Sequence, residues 1–257
     1  MKKILFLFLL CFQFSALSQE LRINAIGIKV SIREIAKVKR ALRFQNAFYR
    51  KLFGGTVDEE FDVKVFGDYS DFYRYANNCC RLESFTTAFF IEPKKEIVVF
   101  KNQEFLRSFS HEISHALTVG KGLHEYVWLD EGLAEVLSSY QMDDLGQVKE
   151  EVLFITDSLK IGQKGNRYMT KFLAIDREDW SSLSAVDSYG MAWALVNYLY
   201  KDEPELLTEV IRGVLKDLSP TETIAAHYEK GLKVFFRGFR KHYRNQRYTL
   251  LKTRQKL

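Results

Sequence analysis

Two histidines four residues apart frame a glutamate in the stretch His111-Glu112-Ile113-Ser114-His115. On a helix, positions i and i+4 share one face, so both imidazoles can grip a single metal ion. Glu112 would lie beside that face, where its carboxylate could polarise a water held at the metal. A second stretch follows, Trp128-Leu129-Asp130-Glu131-Gly132-Leu133-Ala134-Glu135. Glu131 would supply a third ligand and leave one position open. Three protein ligands plus water is the pattern of a catalytic zinc, as opposed to a closed structural one. The chemistry implied is hydrolysis by an activated water.

These residues need a scaffold. Glu96-Ile97-Val98-Val99-Phe100 is an apolar, β-branched run that predicts a strand. From Asn102 to Thr118 a helix is expected, because Phe105, Leu106, Phe109, Ile113 and Leu117 recur at helical spacing and would bury one face. Two unpartnered imidazoles on such a helix would be costly to desolvate, and a metal removes that cost. An exposed helix with two unrelated histidines fits this setting poorly. Upstream, Ile32 to Phe53 is expected to be helical and to stop at Gly54-Gly55. Phe61 to Phe66 alternates like a half-buried strand, and Asp68 to Asn77 suits a short helix. Phe85 to Ile91 and Glu96 to Phe100 would form a hairpin around Pro93-Lys94-Lys95. After Gly120-Lys121-Gly122 the chain is expected to be almost wholly helical. The fold class is therefore α+β: a small N-terminal β-sheet lobe with helices and a largely helical C-terminal lobe, with the zinc-binding helix between them.

HExxH followed by Trp-Leu-x-Glu-Gly-x-Ala resembles the gluzincin zinc metallopeptidases, a group that includes thermolysin and the zinc aminopeptidases. The order strand, hairpin, HExxH helix, WLxEG helix is similar to its compact peptidase MA-like domains. The resemblance spans roughly Phe61 to Leu199 and is concentrated at the two motifs. It implies one Zn2+ per chain held by His111, His115 and Glu131, with Glu112 as general base and a peptide or protein as substrate. The gap from His115 to Glu131 holds fifteen residues, shorter than in the zinc aminopeptidases. Their Gly-x-Met-Glu-Asn segment upstream of HExxH is also missing here, which favours an endopeptidase. The resemblance further implies that one edge strand of the Phe85–Phe100 hairpin pairs with the substrate backbone.

Glu135 competes with Glu131, since one helical turn separates them and both face the same way. Its expected role is to accept the second N–H of a metal-bound histidine, fixing tautomer and orientation; a solvated helix residue is the alternative. Asp130 could play the same part, or simply favour the N-terminal end of its helix. His124, between the motifs, is expected to be a loop histidine and not a ligand. Tyr189 is expected to open the helix Tyr189-Gly190-Met191-Ala192-Trp193-Ala194-Leu195-Val196 and to donate to the oxyanion of the reaction; a core or rim tyrosine is the alternative. His227 is a weaker candidate for that role.

The 257 residues, 47% hydrophobic, suffice for one sizeable core or two lobes. The expectation is a signal peptide at 1–18 and a single domain at 19–257, with an N-terminal α/β lobe at about 19–122 and a helical lobe at about 123–257. Lys2 and Lys3, the apolar run Ile4 to Phe14 and the small residues Ala16-Leu17-Ser18 make up that leader. Cleavage near Ser18-Gln19 would place the mature chain in the periplasm or outside the cell; the alternative is an uncleaved anchor. No later apolar run approaches membrane-spanning length. Cys11 does not fit a lipoprotein site. Cys79 and Cys80, being adjacent, suit a strained vicinal disulfide, a pair of thiols or an intermolecular bridge, and not zinc ligation.

Charge is uneven along the chain. From Lys230 onward there are ten Lys/Arg and no Asp/Glu. The same stretch carries Leu232, Phe235, Phe236, Phe239 and Tyr243 on one helical face. Either that face packs on the domain with its basic residues in water, or the basic C-terminal helix contacts an anionic surface. No nucleic acid is expected as a partner. The rival to a peptidase is a non-catalytic or weakly active extracytoplasmic binding protein that retains the fold; an intact Glu112 argues against it. A zinc hydrolase acting on something other than a peptide is a third reading.

Overall fold

A computed structural model describes residues 21–54, 60–79, 86–142, 148–150 and 164–254. The expected leader at 1–18, Gly55 of the helix stop and Cys80 lie outside those residues. The fold is α+β, with a small mixed sheet near the N-terminus followed by a mostly helical part.

The first helix, α1 (Ile32–Phe53), is fixed at both ends by its sequence. Ser31 Oγ accepts from the Glu34 N–H at 3.2 Å while the Glu34 carboxylate accepts from the Ser31 N–H at 2.7 Å. That reciprocal pair satisfies two N–H groups the first turn would otherwise leave open. Gly54 ends the helix in the left-handed region at φ 70, and its N–H donates to the Arg50 carbonyl.

Four strands form the main sheet: β1 (Arg22–Ile26), β2 (Asp62–Phe66), β3 (Ala88–Ile91) and β4 (Glu96–Phe100), in the order β1-β2-β4-β3. β1, β2 and β4 are parallel, and β3 returns antiparallel along β4 as an edge strand. β1 was not expected; its residues are mostly exposed or half-buried, so they carry little of the alternation that betrays a strand. Alternate side chains serve two layers. Val63, Val65, Ile97 and Val99 face the main core with α1, whereas Phe66, Phe89, Ile91 and Val98 pack with Phe72 and Ala76 of α2 (Tyr69–Cys79). Cys79 ends α2 half-buried, its thiol directed at the Tyr75 and Ala76 carbonyls.

The expected motif helices are present as α3 (Phe105–Thr118) and α4 (Val127–Ser138). Trp128 Nε1 donates to the Leu173 carbonyl at 3.1 Å, tying α4 to the end of α5 (Asn166–Leu173). The described part after Gly122 is largely helical, as expected, with one short exception. A short antiparallel hairpin, β5 (Tyr140–Met142) with β6 (Val148–Glu150), follows α4 directly; strands of three residues are too short to show a period in sequence. Next come α6 (Arg177–Ser181), a π-helical turn (Val186–Gly190), α7 (Met191–Asp202), α8 (Pro204–Val214), α9 (Pro220–His227) and α10 (Leu232–Arg254). Tyr189 therefore lies inside the π turn and does not open α7.

α7 is buried along Met191 to Leu199 and packs against α4. The contact is close because Gly132 has no side chain: a Cβ there would stand 2.6 Å from the Ala192 carbonyl oxygen. On α10, Phe235, Phe236, Phe239 and Tyr243 are buried while Lys233, Arg237, Lys241 and Arg244 are exposed. Tyr243 donates to the Ala194 carbonyl at 2.8 Å. The apolar face of this basic helix thus packs on the domain. Among the described residues no helix is long and apolar enough to cross a membrane.

Candidate metal centre

α3 reaches the site locked to α1 by a buried polar ladder. Gln45 Nε2 donates to the Ser110 carbonyl at 2.6 Å and to its hydroxyl at 2.8 Å. One turn further, the Tyr49 and Ser114 hydroxyls stand 2.5 Å apart. Each serine directly precedes a motif histidine, so the ladder sets the rotation of α3 about its axis and with it the direction of both imidazoles. Burial pushes the Tyr49 phenol up, so it stays protonated.

His111 and His115 turn their Nε2 atoms to within 3.1 Å of each other. Glu131 Oε2, from α4, stands 3.3 Å from the first and 3.6 Å from the second. Three ligand atoms of a tetrahedral zinc, with bonds of about 2.0–2.1 Å, are separated by roughly 3.3–3.4 Å. The observed triangle fits that size. Glu131 Oε2 is also buried and accepts no hydrogen bond, a cost that a cation at the centre of the triangle would remove. These three residues are the group among the described ones whose ligand atoms could close on one ion.

The outer nitrogens of the imidazoles are each met by a carboxylate. His111 Nδ1 lies 3.1 Å from Glu135 Oε1, and His115 Nδ1 lies 3.2 Å from Asp130 Oδ2. With those nitrogens protonated, both Nε2 lone pairs point at the shared position beside Glu131. Glu135 and Asp130 are both buried, so neither is a solvated helix residue. Two residues that sequence reasoning missed hold these carboxylates. Arg107 donates to Glu135 Oε2 at 2.8 Å, and the Thr118 hydroxyl stands 3.4 Å from Asp130 Oδ1. Arg107 sits four residues before His111, so the stripe 107, 111, 115 was open to view in the sequence.

The electrostatics follow from this crowding. Burial alone would lower the His111 pKa, but the Glu131 and Glu135 carboxylates outweigh it and push the imidazole up to about 10. His115 is raised likewise, with Asp130 and Glu131 overcoming burial. Glu131 is held below the ordinary carboxylate range; burial opposes this, and the charges of the nearby His115 and His111 imidazoles prevail. Glu112 behaves oppositely, because burial raises its carboxyl and the neighbouring imidazoles only partly offset that.

A cleft of about 300 Å³ opens over these groups. β3 forms one wall through Ala88, Phe89 and Phe90, and His111, Glu112, His115 and Glu131 line the floor. Tyr189 reaches the cleft from the π turn, its ring 6.5 Å from that of His111 and edge-on to Trp180 at 5.3 Å. The turn is pinned by Asp187, which pairs with Lys164 at 3.0 Å and accepts from the Ser184 hydroxyl at 3.0 Å. His124 is exposed at the rim and outside the ligand triangle. His227 pairs with Glu209 at 2.9 Å between α8 and α9 and does not line the cleft. Arg177 also lines the cleft, and no sequence motif had pointed to it.

A family described as "Protein of unknown function (DUF1570)" matches residues 106–219. The matched stretch contains every residue of the triangle, its two flanking carboxylates, Glu112 and Tyr189. No curated protein matches the chain.

Proposed function

We propose that this protein is a zinc-dependent peptidase of gluzincin type, cutting within peptide chains outside the cytoplasm. The observation that carries the reading is the triangle of His111 Nε2, His115 Nε2 and Glu131 Oε2, sized for one tetrahedral ion and backed by a carboxylate on each imidazole. Those three residues would hold the zinc. Once bound, it would supply Lewis acidity, lowering the pKa of a water and polarising the scissile carbonyl.

The remaining work falls to the chain itself. Glu112 accepts a proton from the attacking water and returns it to the nitrogen of the leaving amine. Its burial, which strengthens its hold on a proton, suits that exchange. The Tyr189 hydroxyl donates to the carbonyl oxygen as negative charge builds there. β3, an edge strand, offers its outer backbone groups to an extended peptide and aligns it across the floor of the cleft. Such pairing grips the main chain of the substrate and leaves side-chain selection to the surrounding walls.

The test is metal content by mass spectrometry together with a peptide-library digest. One zinc per chain is expected in the wild type, with most of it lost in Glu131→Ala. Glu112→Gln should keep its zinc while cleavage falls by about 10²–10⁴-fold. A wild type that takes up no zinc after reconstitution, or a fully active Glu112→Gln protein, would overturn the proposal.

A further inference from the structure

One wall of the cleft carries a cation that no described carboxylate neutralises. Arg177, the first residue of α6, is exposed and lines the same cleft as His111, Glu131 and Tyr189. Its Nη2 donates to the His124 carbonyl at 3.0 Å, which ties the guanidinium to the turn between α3 and α4. Three residues on, Trp180 is buried against Phe172 and stands edge-on to Tyr189. α6 is therefore seated by the same tyrosine that faces the His111 ring. The tether fixes where the guanidinium sits and uses one of its five N–H donors.

Of the four acids that line the cleft, Glu92 is exposed and makes no described ion pair with Arg177, and the other three are engaged. Asp130 and Glu131 face the imidazoles, and Glu112 is buried beside them. Arg177 is thus a preset donor with spare capacity at the mouth of a peptide-sized cleft. A planar guanidinium fork matches a carboxylate through two parallel hydrogen bonds, a geometry that an amide or hydroxyl meets poorly.

We propose that Arg177 is a specificity residue that binds a carboxylate of the substrate, so that the preferred peptides carry a negative group close to the bond that is cut. That group is either an Asp or Glu side chain, which suits cutting within a chain, or the C-terminal α-carboxylate, which would make the cut a C-terminal one. The inference rests on the peptidase reading for its link to cleavage, but recognition of the anion is measurable without turnover.

The experiment uses N-acetylated hexapeptides in matched pairs: free acid against C-terminal amide, and Glu against Gln at each position in turn. Cleavage by the zinc-loaded wild type and binding to the Glu112→Gln protein by calorimetry are both measured, each repeated with Arg177→Met and Arg177→Lys. The expected result is a preference of at least about tenfold for the acid member of one pair class. That ratio should fall to near one in Arg177→Met, and Arg177→Lys should recover only part of it. The pair class that shows the effect tells a terminal carboxylate from a side-chain one. Equal binding of acid and neutral members, or a preference that survives Arg177→Met, would overturn the proposal. Cleavage without preference would sink this inference and leave the peptidase reading standing. An Arg177-dependent binding preference with no cleavage would do the reverse.

Discussion

Gly132 and Ala192 bring α4 and α7 into backbone contact, with room for a hydrogen and not for a methyl: a Cβ on Gly132 would sit 2.6 Å from the Ala192 carbonyl oxygen and 2.6 Å from Val196 Cγ2. Gly132 follows Glu131, so the glycine of the second motif has a packing reason independent of chemistry. Gly132→Ala must push α4 away from α7. A loss of about 1–3 kcal/mol is expected from overpacking. Because Glu131 moves with the backbone, zinc affinity should fall too. Urea unfolding and a chelator competition assay measure the two effects; an Ala variant of unchanged stability would mean the helices separate at no cost.

Asp130 and Glu135 grip opposite imidazoles through their Nδ1 atoms. Asp130→Ala and Glu135→Ala are each expected to weaken zinc binding by about 10–100-fold without abolishing it. Glu131→Ala removes a proposed ligand and should cost far more. Equal losses in all three variants would mean that the ligand and its supports had been confused.

The pH dependence has a definite sign. In the metal-free protein His111 is pushed up to about 10 from its ordinary 6.5, because its two carboxylate neighbours overcome burial. A folded pKa above the unfolded one stabilises the metal-free fold fully below 6.5, and that contribution is lost as pH rises through about 10. Zinc needs the same lone pairs, so it must displace protons, and its apparent affinity should keep climbing with pH until about pH 10. Titration in weak buffer should register proton release. A flat affinity profile would mean that both imidazoles are already neutral before the ion arrives.

The Tyr49–Ser114 hydrogen bond is buried on both sides. Removing either hydroxyl leaves the other without this partner, at about 1–3 kcal/mol. Tyr49→Phe with Ser114→Ala should cost less than the sum of the single changes. The coupling is expected at about 0.5–3 kcal/mol in a double-mutant cycle read by denaturant unfolding. Strict additivity would show that the two groups do not act together.

Much of this site was legible because its spacing is short. His111 and His115 are four residues apart, Glu131 and Glu135 likewise, and a helix turns such spacing into a shared face. The ends of α1 were legible for the same reason, since Gly54 acts within one turn of the chain. What the sequence concealed depends on distant partners. Nothing near Gln45 or Tyr49 signals that Ser110 and Ser114, sixty-five residues on, will meet them. Arg177 reaches the cleft only because α6 folds back against the 123–125 turn. β1 and the β5–β6 hairpin escaped notice for another reason: one is largely exposed and the others are three residues long, so neither offers a pattern to count. The π turn that carries Tyr189 leaves no mark in hydrophobic spacing at all.

The ladder between α1 and α3 carries a consequence for how the proposed metal would come and go. Its two rungs repeat at the helical pitch, so α3 cannot slide or roll by a single residue without breaking both. The imidazoles therefore hold their bearing by interactions that owe nothing to an ion. Stripping the zinc with a chelator should leave a folded protein that reloads quickly. The identity of the ion it retains would then be decided by two nitrogens and an oxygen competing for whatever divalent cations the surroundings supply.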